Sequence, residues 1–347
     1  MWGATCSYVQ LHFKQPAGTS RGILVQKDSW FLKLFNVDKP HEAVGVGEIS
    51  IIPGLSYDDR PDFSQRLDEQ VKRVNDTGKI DFGLFAGWPS IRFGFETALL
   101  DLENGGTRVI FPSAFIEGHD GIPINGLIWM GDVDFMSSQI EKKLNEGYRC
   151  LKMKIGAIGF DDELTLLKHI RKRFSKEVLE LRVDANGAFN AADVWMRLDA
   201  LAKLHLHSIE QPVKAGQWEL MRDVCRLSPL PVALDEELIG IADKQEMRQL
   251  LSSVQPQYVI LKPGLLGGFA LCDDWIGIAS EHGIGWWATS ALEANVGLNA
   301  IAQWTYTKNV SMPQGLGTGL LYTNNVPSPL QIEAGKLYSN PARTWGI

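Results

Sequence analysis

The sequence predicts an α/β protein in which a small α+β module precedes a barrel of alternating strands and helices. From about residue 119 onward, short apolar strands alternate with amphipathic helices, the pattern that βαβ units and a parallel sheet produce. Polar residues also recur near successive strand ends, 30, 26, 25, 27 and 28 residues apart, at Lys154, Asp184, Glu210, Asp235, Lys262 and Ser290. A period of this size indicates repeated βα units.

The amino-terminal module is predicted to combine a small antiparallel sheet with two helices. Its strand candidates alternate apolar and polar residues and read SYVQLHF, GILVQ, WFLKLFNV and AVGVGEIS. The segment KQPAGTSRG, between the first two, is rich in Pro, Gly, Ser and Thr and is predicted to be a loop. Residues 62–76 and 90–104 have helical periodicity.

The barrel is predicted from a longer series of elements. Its strand candidates are IPINGLIW, CLKMKIG, LELRVDANG, HSIEQP, VALDEEL, YVILKPG, GWWATSA and a weaker one near SMPQGLG. Helical stretches between them include DELTLLKHIRKRF, AADVWMRLDALAKL, QWELMRDVCRL and ALCDDWIGIASEHG. Eight strands in roughly 200 residues fit a (β/α)8-type barrel. A doubly wound open sheet is the alternative, but it brings six consecutive strand ends to one site less naturally.

Composition narrows the function. The net charge of −7, without a Lys- or Arg-rich run, argues against nucleic-acid binding and anionic membranes. No apolar run approaches the roughly 20 residues of a membrane span, and no secretory signal is visible. Four widely spaced cysteines without a CxxC pair favour reduced thiols, so a cytoplasmic location is expected.

Three acidic residues come at neighbouring strand ends: Asp184 follows LELRV, Glu210 follows HSI and Asp235 follows VAL. In such barrels the active site lies at the carboxyl ends of the strands, where three carboxylates would repel one another. A divalent cation removes that conflict, and oxygen ligands favour Mg²⁺, Mn²⁺ or Ca²⁺ over zinc. The alternative for any single acid is a helix cap or an ion pair with a lysine.

Lysines come on both sides of these acids. Lys152 and Lys154 alternate with apolar residues in LKMKIG, so they share one face of a strand about 6.6 Å apart. Lys262 follows a later strand and approaches from the other side. A metal between lysines suits removal of a proton next to a carboxylate, with Lys152 tuning the pKa of Lys154 and contacting the substrate carboxylate. Alone, the pair would read as solvated lysines on an edge strand.

Three neighbouring side chains are secondary candidates. Asn186 lies two residues after Asp184 on the same face and is expected to support the site or the substrate. Arg182, two residues before Asp184, is expected to point inward, either to the substrate or into a structural ion pair. Glu236 follows Asp235 directly and points to the opposite face, so it is expected at the rim or behind the metal ligands.

These residues resemble the enolase superfamily, in its muconate-lactonising subgroup. The KxK of LKMKIG, the DxN of DANGAF, IEQP, LDEE and LKPG appear in that family's order, and the resemblance covers nearly the whole chain. It implies a (β/α)7β-type TIM barrel at 119–319 and a capping domain at 1–118, to which 320–347 return. KQPAGTSRG is similar to the family's lid loop, and EISIIPGLS to its second specificity loop. The substrate contacts it implies are Thr19, Ser20, Ser290 and Gly315.

More narrowly, LDEELIG, LKPGLLGGF, TSALEANVGLNAIAQW and PQGLGTG resemble the o-succinylbenzoate synthases of menaquinone biosynthesis. The resemblance implies that Asp184, Glu210 and Asp235 bind Mg²⁺, with Mn²⁺ as a possible substitute. Lys154 would take a proton from 2-succinyl-6-hydroxy-2,4-cyclohexadiene-1-carboxylate and return it to the departing hydroxyl in a syn elimination. Lys262 would stabilise the enediolate from the opposite face.

Other functions remain open at this point. Racemisation of an N-acylamino acid or epimerisation of a dipeptide also needs a base on each face, which Lys154 and Lys262 supply. Residues 312–322 contain no acid, which disfavours dipeptides. A Schiff-base aldolase would leave the three acids unexplained, and a non-catalytic barrel would not need both lysines. The expected partner is a small carboxylate, while the choice between monomer and homo-oligomer stays open.

Overall fold

The computed structural model describes residues 1–19, 22–40 and 42–347. The amino-terminal module contains β1 Trp2–Thr19, β2 Gly22–Asn36, β3 Val44–Ser50, α1 Phe63–Thr77 and α2 Pro89–Glu103. In the described part of the chain these strands form one antiparallel sheet of three strands in the order β1-β2-β3. Helix α2 lies directly on β3 because Gly47 leaves room for it: an added Cβ there would be 2.0 Å from Gly94 O.

The prediction that KQPAGTSRG forms a loop is wrong for most of that segment. Lys14–Thr19 continue β1, and Ala17, Gly18 and Thr19 pair with the start of β2. A shift of register between His12 and Ala17 accommodates Pro16, which has no N–H to give to the sheet. The strands therefore form one long hairpin whose tip lies near Thr19 and Gly22.

The separation of GILVQ from WFLKLFNV is also wrong, because both belong to β2. The intervening Lys27 and Ser29 look like a polar break in the sequence. In the structure both are buried, with 2% and 0% of their surface exposed, and both have buried hydrogen-bond partners. Their burial explains why the strand continues through them.

Parallel strands make up the second part of the chain. They follow the two-residue β4 Ile122–Pro123 and are β5 Gly126–Ile128, β6 Cys150–Lys154, β7 Glu180–Asp184, β8 Ser208–Glu210, β9 Val232–Leu234, β10 Tyr258–Leu261 and β11 Gly285–Ala288. The helices are α3 Val133–Asn145, α4 Phe160–Arg173, α5 Val194–Ala202, α6 Trp218–Leu227, α7 Lys244–Val254, α8 Pro263–Leu266, α9 Phe269–Glu281 and α10 Asn295–Thr307. Within the described residues, β5 to β11 pair in sequence order as a seven-stranded parallel sheet. The predicted α/β class is therefore confirmed.

The weak strand predicted near SMPQGLG makes two isolated bridges instead of a full strand. Gln314 bridges Ile124 beside β5, and Gly315 bridges Thr289 after β11, both in parallel. The side chain of Gln314 also accepts a hydrogen bond from Ala288 N at 2.7 Å. This segment therefore joins the two edges of the sheet and closes the ring.

The carboxyl-terminal residues run along both parts of the molecule. Leu321 O accepts from Lys14 N at 2.8 Å, and Thr323 N donates to His12 O at 2.9 Å. Further on, β12 Leu330–Glu333 and β13 Lys336–Ser339 form a hairpin that pairs with β4. The division at 1–118, 119–319 and 320–347 stays a prediction. None of the helices in the described residues combines the length and apolarity that a bilayer span needs.

Candidate active site

The parallel register brings the predicted strand-end residues together. Lys154 pairs with Asp184, and Asp184 pairs with Glu210, so these three residues form one row across β6, β7 and β8. Asp235 follows β9 directly, and Lys262 follows β10. The row therefore has a lysine at each end and three carboxylates between them, at the carboxyl ends of the strands.

Lys152 and Lys154 point into the barrel and bind the acids of the next two strands. Lys154 Nζ donates to Asp184 Oδ2 at 2.9 Å and to Asn186 Oδ1 at 2.8 Å. Lys152 Nζ lies 3.0 Å from the same Asp184 oxygen and also donates to Glu210 Oε2. With 5% of its surface exposed, Lys152 is not a solvated edge-strand lysine.

On the other side, Lys262 Nζ donates to Asp235 Oδ2 and lies 3.9 Å from Glu210 Oε1. Lys262 directly precedes α8 and has an extended backbone, and its side chain reaches Asp235 at the end of β9. Glu210 at the centre of the row is thus approached by an ammonium from each side.

The charges in this row shift one another's pKa values. Burial opposes ionisation of Asp184, but the three lysines around it outweigh burial and hold its pKa well below the usual range. Burial and the carboxylates of Asp184 and Asp235 raise the pKa of Glu210. Burial acts to lower the pKa of Lys152, but the three carboxylates outweigh it and raise that pKa. Like charges therefore crowd at Glu210, where a cation is favourable.

The donor set fits a hard divalent cation by type, since all three groups are carboxylates at adjacent strand ends. Three carboxylates converge from adjacent strand ends, and Glu210 Oε1 is buried without a hydrogen bond from any described residue. Over residues 1–19, 22–40 and 42–347, no group of three or more His, Cys, Asp or Glu side chains already has a metal-binding arrangement. The reason is visible in the ion pairs, since lysine ammonium groups lie among the carboxylates.

A cavity opens above this row. Its floor is polar, and its walls come from β2, from the segment after β3 and from the loops after β5 and β11. The apolar wall residues are Ile23, Leu24, Ile52, Pro53, Leu55, Leu127, Trp129, Ala291 and Leu292. The cavity can therefore hold a carboxylate at its floor and an apolar ring or chain against its walls.

Most of the predicted substrate-binding residues lie at this cavity. Asn186, Ser290 and Gly315 line it. Thr19 is the last residue of β1 and pairs with Gly22, a cavity residue, while Ser20 lies outside the described residues. Asn186 also donates to Glu236 Oε1 at 3.0 Å, so Glu236 contacts a side chain that lines the cavity.

Arg182 is the exception, because the structure does not bring it to the cavity. Its side chain is buried at the opposite end of the barrel, where Nε donates to Glu180 Oε1 at 2.7 Å and Nη1 donates to Pro313 O at 2.9 Å. The guanidinium lies 4.4 Å from the centre of a Trp287 ring. The predicted substrate contact of Arg182 is therefore wrong, and the structural ion pair is correct.

Sequence reasoning missed Asn125 and Thr289, which line the cavity with polar side chains. Both Asn125 Oδ1 and Thr289 Oγ1 are buried and receive no hydrogen bond from the described part of the chain. A signal was available for Thr289, which directly follows β11. Applying the strand-end rule to every barrel strand would have found Thr289, whereas Asn125 lies before its strand.

The fold and the site define the class of the protein: a parallel barrel with a separate antiparallel module, whose strand ends carry lysines on both sides of three acids. A family model described as "Enolase C-terminal domain-like" matches residues 136–343. The chain belongs to the enolase superfamily, whose members depend on a divalent metal.

Individual relatives narrow the comparison. The chain is 49% identical to an o-succinylbenzoate synthase of Desulfotalea psychrophila, over 92% of this chain and 95% of that protein. The crystal structure of MenC from Desulfotalea psychrophila LSv54 superposes with a TM-score of 0.82 at 43% identity, over 97% of this chain and 99% of that one. An N-succinylamino acid racemase of Amycolatopsis is 27% identical over 66% of this chain and 60% of its own.

Proposed function

We propose that the enzyme removes water from 2-succinyl-6-hydroxy-2,4-cyclohexadiene-1-carboxylate to give o-succinylbenzoate, a step of menaquinone biosynthesis. The observation that carries the proposal is the row at the cavity floor, where Lys154 and Lys262 flank three carboxylates. The high identity to an o-succinylbenzoate synthase along nearly the whole chain supports the same substrate. The four unpaired cysteines agree with a cytoplasmic location.

Asp184, Glu210 and Asp235 would hold the metal, for which we propose Mg²⁺ with Mn²⁺ as a substitute. When bound, the metal would neutralise the substrate carboxylate and stabilise the negative charge that develops on it. Lys152 contacts two of these acids, so it would keep their oxygens in place and add a positive charge beside the substrate carboxylate.

Lys154 carries the proton steps. As a neutral amine it would take the proton from the ring carbon that bears the carboxylate, and the electron pair would stay on the substrate as an enediolate. The same side chain, now an ammonium, would return this proton to the hydroxyl leaving from the same face. Water departs, the ring becomes aromatic, and the lysine is neutral again.

Lys262 would remain an ammonium on the opposite face throughout. Its position beyond Glu210 and Asp235 suits stabilisation of the enediolate charge. A base on each face would instead allow racemisation of an N-succinylamino acid, the second candidate. The similarity to the N-succinylamino acid racemase of Amycolatopsis supports this second candidate.

The deciding experiment assays the purified enzyme with Mg²⁺, first with the cyclohexadiene substrate and then with N-succinylamino acids. We expect kcat/KM to favour the cyclohexadiene by at least about 100-fold. A ratio far in favour of the amino acid would reject dehydration as the main function. Turnover that survives EDTA, together with trapping by borohydride, would point instead to a Schiff-base enzyme.

A further inference from the structure

Three charged side chains are buried between the amino-terminal sheet and the barrel, away from the row of lysines and acids. Lys27 lies on β2, Glu48 on β3 and Glu293 in the segment before α10. Each has at most 2% of its surface exposed. Burial lowers the pKa of Lys27 and raises that of Glu48, so keeping charge here is costly. We call these three residues the interface cluster.

Glu48 binds the start of a barrel helix. Its Oε1 accepts from Ala294 N at 2.8 Å, directly before α10, and its Oε2 accepts from Gly297 N at 2.9 Å in the first turn of that helix. Glycine destabilises the interior of a helix, but position 297 has no room for a larger residue. An added Cβ there would lie 2.8 Å from carbon atoms of Glu293 and 3.1 Å from Glu48 Oε2.

Lys27 holds the backbone of a cavity residue. Its Nζ donates to Leu292 O at 2.9 Å and to Ser50 Oγ at 2.7 Å, while Tyr322 Oη donates to the same carbonyl at 2.6 Å. Leu292 has a φ of 64°, a left-handed conformation that a leucine rarely adopts. Two hydrogen bonds to its carbonyl therefore hold this backbone conformation in place.

Glu293 fixes Ser290 in the same segment. The Ser290 hydroxyl donates to Glu293 Oε2 at 2.6 Å, and its oxygen accepts from Thr318 Oγ1 at 2.8 Å and from Leu292 N at 3.1 Å. Its one hydrogen and both lone pairs are thus used within the protein. Ser290 shapes the cavity wall and is not available as a donor to the substrate.

The elements that the interface cluster joins are the ones that form the cavity walls. Leu24 precedes Lys27 on β2, Ile52 follows Ser50 after β3, and Leu292 lies on the barrel side. We infer that Lys27, Glu48 and Glu293 are positioning residues that lock the two walls together, so that the substrate meets a preformed cavity. The choice of substrate for the test rests on the function proposed above.

The chain provides a matched control in Glu96. This carboxylate also comes from the amino-terminal module, on α2, and also binds the start of a barrel helix: it accepts from Phe269 N at 2.6 Å and Ala270 N at 3.0 Å. It does not line the cavity or contact the interface cluster. Glu48→Gln and Glu96→Gln therefore make the same chemical change at the same kind of junction.

The test compares these two variants with the wild-type enzyme. Each turns one carboxylate oxygen into an amide that faces a backbone N–H, so both should lower the midpoint of thermal unfolding. Only Glu48→Gln should raise KM for the cyclohexadiene substrate, by about tenfold, with kcat within about threefold of wild type. Glu96→Gln should leave both constants within about threefold. Equal kinetic effects in the two variants, or none in either, would overturn the inference.

A further variant and a second measurement test the inference even if Glu48→Gln does not fold or the substrate is not turned over. If Glu48→Gln does not fold, Ser50→Ala removes one acceptor of Lys27 and should still raise KM by about threefold, and an unchanged KM would refute the inference. Hydrogen exchange needs no substrate: Glu48→Gln should speed exchange in residues 289–297 and 48–56, and Glu96→Gln should not. Absence of wild-type turnover would reject the proposed function alone, whereas unchanged exchange in Glu48→Gln would reject the interface cluster alone.

Discussion

The two ends of the barrel bury charge in different ways. At the carboxyl end, Asp184 lines an open cavity, and the carboxylates of Asp184 and Asp235 crowd against Glu210. At the amino end, Arg182 is covered by Trp287 and paired with Glu180, while His207 packs on Tyr258. Strand β7 supplies both ends, since Arg182 and Asp184 are two residues apart on one face. Buried charge alone does not mark a site; crowding of like charges beside open space does.

The largest expected effect comes from Lys154→Ala at the carboxyl end. Loss of the base should lower kcat by about 10³-fold, because general acid–base catalysis contributes on that scale. Lys152 Nζ still lies 3.0 Å from Asp184 Oδ2, so that carboxylate keeps an ammonium partner and the midpoint of thermal unfolding should fall only modestly. Steady-state kinetics and circular dichroism measure the two quantities, and Lys168→Ala, an exposed lysine on α4, is the control. A kcat close to wild type would show that Lys154 is not the base.

The next effect concerns the metal. Asp184→Asn removes a charged ligand, so Mg²⁺ binding measured by isothermal titration calorimetry should weaken by at least about 100-fold, and activity should fall with it. EDTA should abolish wild-type activity, and added Mg²⁺ should restore it. Asp199→Asn, on an exposed part of α5, should change neither. Full activity in chelator would remove the metal from the mechanism.

At the amino end of the barrel, Arg182→Met should have the reverse effect, lowering stability while leaving catalysis nearly unchanged. The variant leaves Glu180 and Pro313 O without their partner, which should lower the free energy of unfolding by about 3 kcal/mol. Because Arg182 lies away from the cavity, kcat/KM should stay within about threefold of wild type. Denaturant unfolding and kinetics measure the pair of results. A large rise in KM with unchanged stability would mean that Arg182 reaches the substrate after all.

The residues at the two ends of the barrel differ in how far the sequence predicts their positions. Lys154, Asp184 and Glu210 were predictable, because strand alternation fixes their face and parallel register fixes their row. The end of the barrel toward which Arg182 points was not predictable, because its partner Trp287 lies 105 residues away in the chain. Lys27 was read as part of a break between strands, because the carbonyl that compensates its burial belongs to Leu292. Local sequence patterns predict which face of a strand a side chain occupies. The direction in which a buried polar side chain points depends on partners that are distant in the sequence.

The smallest expected effect is a pH dependence at the amino end. Burial lowers the pKa of His207; Glu180 opposes the shift and Arg182 adds to it. The unfolded chain therefore takes up a proton more readily than the folded one, so this contribution to stability is complete above about pH 6.5 and is lost as the pH falls below it. His207→Phe keeps a ring against Tyr258 but cannot titrate. Between about pH 8 and about pH 5.5, wild type should lose more unfolding free energy than the variant, as measured by denaturant unfolding. Equal losses in the two proteins would show that His207 keeps its ordinary pKa in the fold.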